Sequence, residues 1–274
     1  MNEVQGLSRL GLVAHPDRPQ AAALVAATIA WCAAHGMDAV EVDEPDALDC
    51  DAVLSFGGDG TMLRAVDLVA ERGLPVLGVN CGQMGYLTEV EPEALTDALE
   101  RLRAGTFTVS ERTVLAVTVG SAGPAAGTWT ALNEAVLEKP HPGKLVRFEV
   151  VINGAPFTSY AADGVIVSTP TGSTAYAFSA GGPIVSPRLA CFLFTPVSPH
   201  MLFDRTLVLD DRDALELHVT DRPGVLTLDG RELGELEPGA TVRCECGTRP
   251  ARVITLAPRD FHQILKAKFG LSDR

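Results

Sequence analysis

The first hundred residues alternate between short apolar runs and helix-like segments, and this alternation constrains the fold more than any other feature of the chain. The apolar runs, which predict strands, are residues 7–14, 39–42, 52–56 and 75–79. The intervening segments, which predict helices, are residues 16–35, 62–71 and 91–103. Strands that alternate with helices pair in parallel and are covered on both faces. We therefore predict an α/β domain with a parallel sheet over residues 1–107.

The pattern changes near Thr106, where short alternating apolar segments separated by Gly and Pro begin. These segments predict strands at residues 115–119, 147–152, 164–168, 207–209, 214–219, 225–228 and 241–246. Asp229 and Gly230 predict a hairpin turn. The interpretation is a β-rich, sandwich-like domain over residues 108–257. The tail, 258–274, has helical apolar spacing and predicts a helix that packs back on the first domain.

Composition narrows the function classes. The chain has 274 residues, of which 46% are hydrophobic, and a formal net charge of -13. Such a charge disfavours nucleic acid and anionic membranes as partners. The apolar stretch at residues 21–34 is too short to span a bilayer, and the first nine residues lack the pattern of a leader. The six scattered cysteines predict reduced thiols, with Cys244 and Cys246 alternating along a strand rather than holding a metal. We expect a cytoplasmic protein.

A glycine-rich loop follows the strand at 52–56 and precedes a helix. Its residues are Gly57, Gly58, Asp59, Gly60 and Thr61. In open α/β sheets ligands bind beyond the carboxyl ends of the strands, and glycines let backbone amides approach phosphate closely. A carboxylate in such a loop fits a metal ligand or a base that accepts a proton from a hydroxyl. The alternative is a tight turn in which Asp59 only caps the helix.

Two polar segments stand out in the β-rich domain. A hydroxyl-rich run at residues 168–176 follows an apolar strand and ends at Tyr176, which suits the adenine and ribose of a nucleotide. Asn133 and Glu134 interrupt an apolar stretch, and burying them requires a ligand or the backbone to satisfy their side chains. A Ser/Thr-rich turn that caps a helix explains the first segment equally well.

Taken together, these segments resemble the NAD kinase family. The match comprises GGDGT at 57–61, NCGQMGYLTEV at 80–90, LNEAVLEK at 132–139, DGVIVSTPTGSTAYAFSAGGPIVSP at 163–187, TPVSPHMLFDRTLVL at 195–209 and LDGREL at 228–233. The resemblance implies an α/β domain followed by a β-rich domain. It also implies transfer of the γ-phosphoryl group of ATP, or of polyphosphate, to the adenosine 2′-hydroxyl of NAD with Mg²⁺. Members form homodimers or homotetramers.

The resemblance also implies roles for individual residues. Asp59 corresponds to the family's essential aspartate, the base for the 2′-hydroxyl, and its glycine-loop neighbours shape the phosphate environment. The residues that match the family's NAD contacts are Asn133, Glu134, Asp163, Thr174, Ala175, Tyr176 and Ser179. Tyr86 stands beside the adenine where the family has Phe, and Met84 stands where it has Leu. The candidate cations for phosphate are Lys144, Arg112, Lys139, Arg147, Arg188 and Arg205.

Two alternatives stay open at the level of sequence. Lipid kinases share the GGDGT loop, although the polar run at 168–176 argues against an acyl-chain groove. A non-catalytic NAD(P)-binding sensor is the other alternative, although an intact Asp59 is unexpected in a protein that only binds.

Overall fold

The computed structural model describes residues 6–44, 49–82, 85–257 and 260–271, and the chain divides into two compact units. The first unit comprises Met1–Glu111 and Ala251–Arg274, and the second comprises Arg112–Pro250. Within the described ranges, no helix is both long enough and apolar enough to cross a membrane.

The first unit is built on one six-stranded sheet. Its strands are β1 (Arg9–Ala14), β2 (Asp38–Glu41), β3 (Ala52–Gly57), β4 (Val76–Asn80), β5 (Thr108–Arg112) and β18 (Ala251–Thr255), in the spatial order β2-β1-β3-β4-β18-β5. The pairs β1–β2, β1–β3, β3–β4 and β4–β18 are parallel. These parallel pairs agree with the predicted α/β domain, although the sheet as a whole is mixed.

Helices cover both faces of this sheet. They are α1 (Pro19–Ala34), α2 (Asp59–Val69) and α3 (Leu95–Arg103), the last preceded by a 3₁₀ turn at Pro92–Ala94. Leu54 and Phe56 of β3 join the core formed with α1 and α3, whereas the Ser55 hydroxyl donates to Met62 Sδ of α2. Because successive strand residues point to opposite faces, α2 lies across the sheet from the other two helices.

The last helix, α5 (Phe261–Lys268), belongs to the first unit, as predicted. Asp260 caps it by accepting a hydrogen bond from the amide of His262. Lys268 places its ammonium group 4.5 Å from the centre of the Tyr86 ring. The helix therefore returns the chain to the loop that follows β4.

The second unit is a sandwich of two antiparallel sheets. One has the order β10-β9-β14-β17-β6-β7 and the other β13-β12-β11-β8-β15-β16. The strands are β6 (Leu115–Gly120), β7 (Gly127–Ala131), β8 (Glu134–Glu138), β9 (Val146–Ile152), β10 (Ala155–Ala162), β11 (Gly164–Ser168), β12 (Cys191–Val197), β13 (Leu207–Asp210), β14 (Ala214–Val219), β15 (Gly224–Leu228), β16 (Arg231–Leu236) and β17 (Thr241–Cys246). Between β11 and β12 lie a 3₁₀ turn, Gly172–Thr174, and a short helix, α4 (Tyr176–Ser179).

A single core joins the two sheets of the second unit. Phe148 and Leu217 from one sheet and Val167 and Phe194 from the other lie in the same buried cluster. Each fully buried side chain of this size contributes about 1.5–3 kcal/mol of hydrophobic stabilisation. The predicted sandwich-like domain is confirmed, and all six cysteines are free.

Two strands lie in a different sheet from the one that the predicted domain bounds suggest. We predicted a β-rich domain over residues 108–257, but β5 lies at the edge of the first sheet and β18 pairs in parallel with β4 of the same sheet. The apolar run of β18 is as short as those of the sandwich strands, so periodicity alone does not assign it to a sheet.

Candidate active site

The first unit carries a cleft of about 470 Å³ beyond the carboxyl ends of β1 and β3. Its lining residues are Ala14, His15, Pro16, Arg18, Gly58, Asp59, Gly60, Thr61 and Arg64. The glycine loop thus opens onto the position at which open α/β sheets bind their ligands.

Asp59 is the carboxylate of this cleft. It is the first residue of α2, and no side chain caps that helix. Instead, its Oδ2 accepts a hydrogen bond from the amide of Tyr86 at 2.9 Å, and its Oδ1 accepts from the amide of Leu87 at 3.0 Å. The interpretation of Asp59 as a helix cap is therefore wrong. Each carboxylate oxygen retains a second acceptor site for a ligand.

Gly85 permits this approach. A Cβ at Gly85 would lie 2.2 Å from Asp59 Oδ1 and 2.7 Å from Thr88 Oγ1. Asn80, at the end of β4, holds the start of the same loop, because its side chain exchanges hydrogen bonds with the backbone of Gly82 and donates to Glu91. The loop after β4 therefore orients the carboxylate of the loop after β3.

The glycines of the loop serve different purposes. A Cβ at Gly57 would lie 2.1 Å from Thr61 Oγ1, so the protein itself requires glycine there. A Cβ at Gly58 or Gly60 would meet nothing within 4 Å. Neither has a positive φ among the described glycines. Packing within the protein does not explain why these two positions are glycine. The open space beside them would allow a ligand to approach the backbone closely.

Three basic side chains of the cleft were missed by the sequence analysis. Arg18 donates to the carbonyl of Cys81, Arg64 pairs with Asp43 at 3.1 Å, and the His15 ring accepts from the amide of Asp17 at 3.2 Å. The available signal was position: His15 and Arg18 follow β1 directly, at the same edge of the sheet as the glycine loop.

In the second unit, a short bridging segment (residues 132–134) joins β7 of one sheet to β8 of the other. It carries Asn133, which is half-buried, and Glu134, which is 8% exposed. The hydroxyl-rich loop after β11 packs directly on this segment: a Cβ at Gly172 would lie 2.1 Å from the carbonyl oxygen of Asn133. The structure thus brings two of the predicted polar segments together.

Glu134 is electrostatically unusual. Burial, reinforced by the charge of Asp229, raises its pKa to about 8, against a smaller opposite effect of the Tyr176 amide. Its Oε2 is buried and, within the described residues, has no hydrogen-bond partner. Ser168, its direct partner across the β8–β11 pair, also has a buried hydroxyl without a partner. A neutral carboxyl group and a hydroxyl group are therefore available to form hydrogen bonds.

The remaining predicted residues lie around this group or farther along the sheet. Thr174, Ala175 and Tyr176 end the hydroxyl-rich run, Ser179 follows it in α4, and Tyr176 is 40% exposed. Asp163 pairs with Lys139 at 2.5 Å. Burial raises the pKa of Tyr176, and the charges of Glu138 and Asp163 raise it further. Lys144 is exposed in the loop between β8 and β9, outside these contacts.

Other predicted features have structural roles. Arg147 and Arg205 form ion pairs with Asp221 and Asp204, and Arg188 is exposed. Lys139 is occupied by Asp163. Arg112 lies in β5. Met84 lies outside the described residues.

An oriented carboxylate at the rim of a glycine-loop cleft, with basic side chains around it, is the arrangement of a phosphoryl-transferring enzyme. The family model of the ATP-NAD kinase N-terminal domain matches residues 38–107, and that of the ATP-NAD kinase C-terminal domain matches residues 132–256. The chain belongs to the NAD kinase family and is an enzyme.

Individual relatives agree. An NAD kinase of Moorella thermoacetica is 37% identical over 96% of this chain and 89% of its own length. NAD kinase 2 of Streptomyces coelicolor is 42% identical over 83% of this chain and 76% of its own. Among solved structures, an Archaeoglobus fulgidus NAD kinase in complex with ATP superposes with a TM-score of 0.76 at 25% identity, covering 96% of this chain and 97% of its own. Yeast NADH kinase complexed with NADH shares the fold, with a TM-score of 0.87 at 20% identity over 98% of this chain and 89% of its own.

Proposed function

We propose a division of the reaction among named residues of this enzyme, whose activity is the ATP-dependent phosphorylation of NAD to NADP. The observation that carries the proposal is the Asp59 carboxylate, held by the amides of Tyr86 and Leu87 at the edge of the glycine-loop cleft.

Asp59 accepts the proton of the adenosine 2′-hydroxyl of NAD. The 2′-oxygen then forms a bond to the γ-phosphorus, the bond from that phosphorus to the bridging oxygen breaks, and ADP leaves with the electron pair. Positioning and charge stabilisation supply most of the rate in such transfers. Two amide hydrogen bonds fix the direction of the carboxylate, which supports this role.

The glycine loop receives the phosphates of the donor. Gly58 and Gly60 leave open space for phosphate oxygens to approach the backbone, and the start of α2 adds partial positive charge. Arg18 and Arg64 line the same cleft and supply local positive charge in a chain whose net charge is -13. Gly57 and Thr61 keep the loop in shape.

A divalent ion fits this donor set. Mg²⁺ keeps several waters and is held by one or two carboxylates together with substrate phosphates. Asp59 is the carboxylate of the cleft, and the described residues contain no group of three or more acidic, His or Cys side chains that would form an all-protein cage. We propose that Asp59 and the donor phosphates hold Mg²⁺, which neutralises phosphate charge.

NAD is recognised by the second unit. Asn133 and Glu134 hydrogen-bond the dinucleotide, Tyr176 offers its exposed ring for stacking, and Asp163 adds an acceptor. The loop residues Thr174, Ala175 and Ser179 contribute hydrogen-bonding groups, Lys144 contributes charge, and Tyr86 packs on the adenine. The unpartnered buried atoms of Glu134 and Ser168 support this assignment.

The finer points of organisation are part of the same proposal. The first unit, Met1–Glu111 with Ala251–Arg274, carries catalysis, and the second unit, Arg112–Pro250, carries NAD recognition. We further propose that the enzyme is cytoplasmic and acts as a homodimer or homotetramer, without nucleic acid or membrane partners.

A donor-by-acceptor activity matrix tests the function. Purified protein with Mg²⁺ is combined with ATP or polyphosphate and with NAD or NADH, and an NADP-specific dehydrogenase detects the product. ATP with NAD should yield NADP. No NADP with either donor would contradict the activity. Product with polyphosphate but not with ATP would identify polyphosphate as the donor.

A further inference from the structure

The turn between β15 and β16 places an aspartate against the bridging segment. Asp229 has φ 49° and Gly230 has φ 80°, which is the pattern of the type I′ hairpin turn that Asp-Gly favours. The sequence analysis assigned these residues a turn and no other role. The turn reverses the chain, but it also directs the Asp229 carboxylate at three consecutive backbone amides.

Asp229 and Thr169 together satisfy every backbone N–H and C=O group of the bridging segment. Asp229 Oδ2 accepts from the amide of Leu132 at 2.7 Å, and Oδ1 accepts from those of Asn133 and Glu134 at 2.8 and 3.0 Å. The Asp229 amide donates to the Glu134 carbonyl at 3.0 Å. Thr169 donates to the Leu132 carbonyl through Oγ1 and to the Asn133 carbonyl through its amide.

This arrangement leaves the side chains of the segment available. Its buried backbone needs nothing from Asn133 or Glu134, because Thr169 and Asp229 satisfy it from the loop after β11 and the β15–β16 turn. Glu134 Oε2, the neighbouring Ser168 hydroxyl and the Thr171 hydroxyl are among the buried side-chain atoms that have no partner within the described residues. Buried polar atoms without a protein partner call for a ligand or water to bond them.

The same aspartate affects the charge of Glu134. The groups that face Glu134 are Asp229 from the β15–β16 turn, Ser168 from β11 and the Tyr176 amide at α4. Of these groups, Asp229 is the charged one. A carboxylate near a second, buried carboxyl favours the neutral form of that second group.

We propose that Asp229 is a positioning residue for the NAD site, fixing the bridging segment so that Asn133 and Glu134 face the dinucleotide without Asp229 touching it. The proposal rests on the function proposed above. Asp229 also adds to the effect of burial, which favours the protonated form of Glu134, and in that form the carboxyl can donate a hydrogen bond to NAD.

Asp229→Asn tests this with a matched control. It keeps a residue that tolerates the left-handed turn but replaces one acceptor oxygen with a donor and removes the charge. The control is Asn153→Asp in the other such turn, where Asn153 has φ 52° and Gly154 has φ 76°. We expect Asp229→Asn to raise KM for NAD by about ten- to a hundredfold, with KM for ATP nearly unchanged. The alkaline limb of kcat/KM for NAD should move to lower pH.

Asp229→Glu separates geometry from charge, and it serves as the second variant if Asp229→Asn does not fold. It should keep the alkaline limb while KM for NAD rises. Calorimetric binding of NAD is measured in parallel, so that a wild type without turnover contradicts the proposed activity while weaker NAD binding by the variants still supports the positioning role. Folded variants with wild-type NAD affinity and an unshifted pH profile would overturn the proposal, as would an equal change in Asn153→Asp.

Discussion

The glycine loop of the first unit and the hydroxyl-rich loop of the second differ in how far contacts within the protein fix their conformation. Gly58 and Gly60 face open space. By contrast, Thr169 bonds Leu132 and Gly172, and the Ser173 hydroxyl bonds Pro170 and Val185. The first loop has open space beside its backbone at these two glycines, whereas the second is fixed by its own hydrogen bonds.

This difference matches two tasks. Phosphates vary in position between donor, transition state and product, and an open backbone can follow them. Recognition of one dinucleotide benefits from groups that are already ordered, because ordering them on binding costs affinity. Substitutions in the glycine loop should therefore mainly lower activity, and substitutions in the hydroxyl-rich loop should mainly lower stability.

The largest effect is expected at Asp59. Asp59→Asn should lower kcat by about a hundred- to ten-thousandfold, the usual contribution of a general base, while calorimetry still detects NAD binding. Asp67→Asn, on the exposed side of the same helix, is the control. Turnover within a few-fold of wild type would remove the base role from Asp59.

Gly172→Ala should destabilise the second unit. Its Cβ would meet the backbone of Asn133, with the carbonyl oxygen 2.1 Å away, and backbone cannot rotate aside as a long side chain can. We expect a loss of about 1–3 kcal/mol in the free energy of unfolding, measured by chemical denaturation. An unchanged denaturation midpoint would show that the loop is less fixed than its hydrogen bonds indicate.

Gly60→Ala should lower activity without lowering stability, the reverse of what is expected for Gly172→Ala. A methyl group there meets no protein atom within 4 Å, and alanine favours the helix, so stability should stay constant or rise by up to about 1 kcal/mol. The kcat/KM for ATP should fall by about tenfold, about 1.4 kcal/mol of lost transition-state interaction. Full activity in this variant would mean that the donor does not approach the loop closely.

Glu134→Gln should have the mildest effect on turnover at pH 7, because glutamine resembles the protonated acid. Since burial and Asp229 raise the folded-state pKa of Glu134 from its ordinary value of 4.5 to about 8, the folded state binds the proton more tightly. The wild type should therefore lose stability relative to the variant as pH rises from about 4.5 to 8. Thermal unfolding across that range checks the sign, and parallel curves would contradict a buried neutral carboxyl.

Much of the fold follows from local patterns. Pro19 at the start of α1 and Gly36 with φ 71° just beyond its end are signals visible in the sequence. The strand at 52–56 was also predictable from its short apolar run, and the loop after it from the glycines that interrupt the pattern. The family motifs added the activity, which periodicity alone does not supply.

The rest depends on contacts between distant parts of the chain. Nothing near Asp59 in sequence indicates that the amides of Tyr86 and Leu87 orient it, and nothing near Asp229 indicates that it bonds residues about a hundred positions earlier. Arg18 was overlooked because a lone arginine after a strand has no pattern. The roles of these residues in NAD and ATP binding stay predictions.

Strand β18 has a consequence for synthesis of the protein. It lies between β4 and β5 in the first sheet, yet it follows the entire second unit in the chain. Glu89 also accepts hydrogen bonds from the amides of Leu256 and Ala257, just beyond this strand. During translation, the inserted sandwich can therefore close while the first sheet still lacks an inner strand, so the second unit can complete its fold before the unit that carries Asp59.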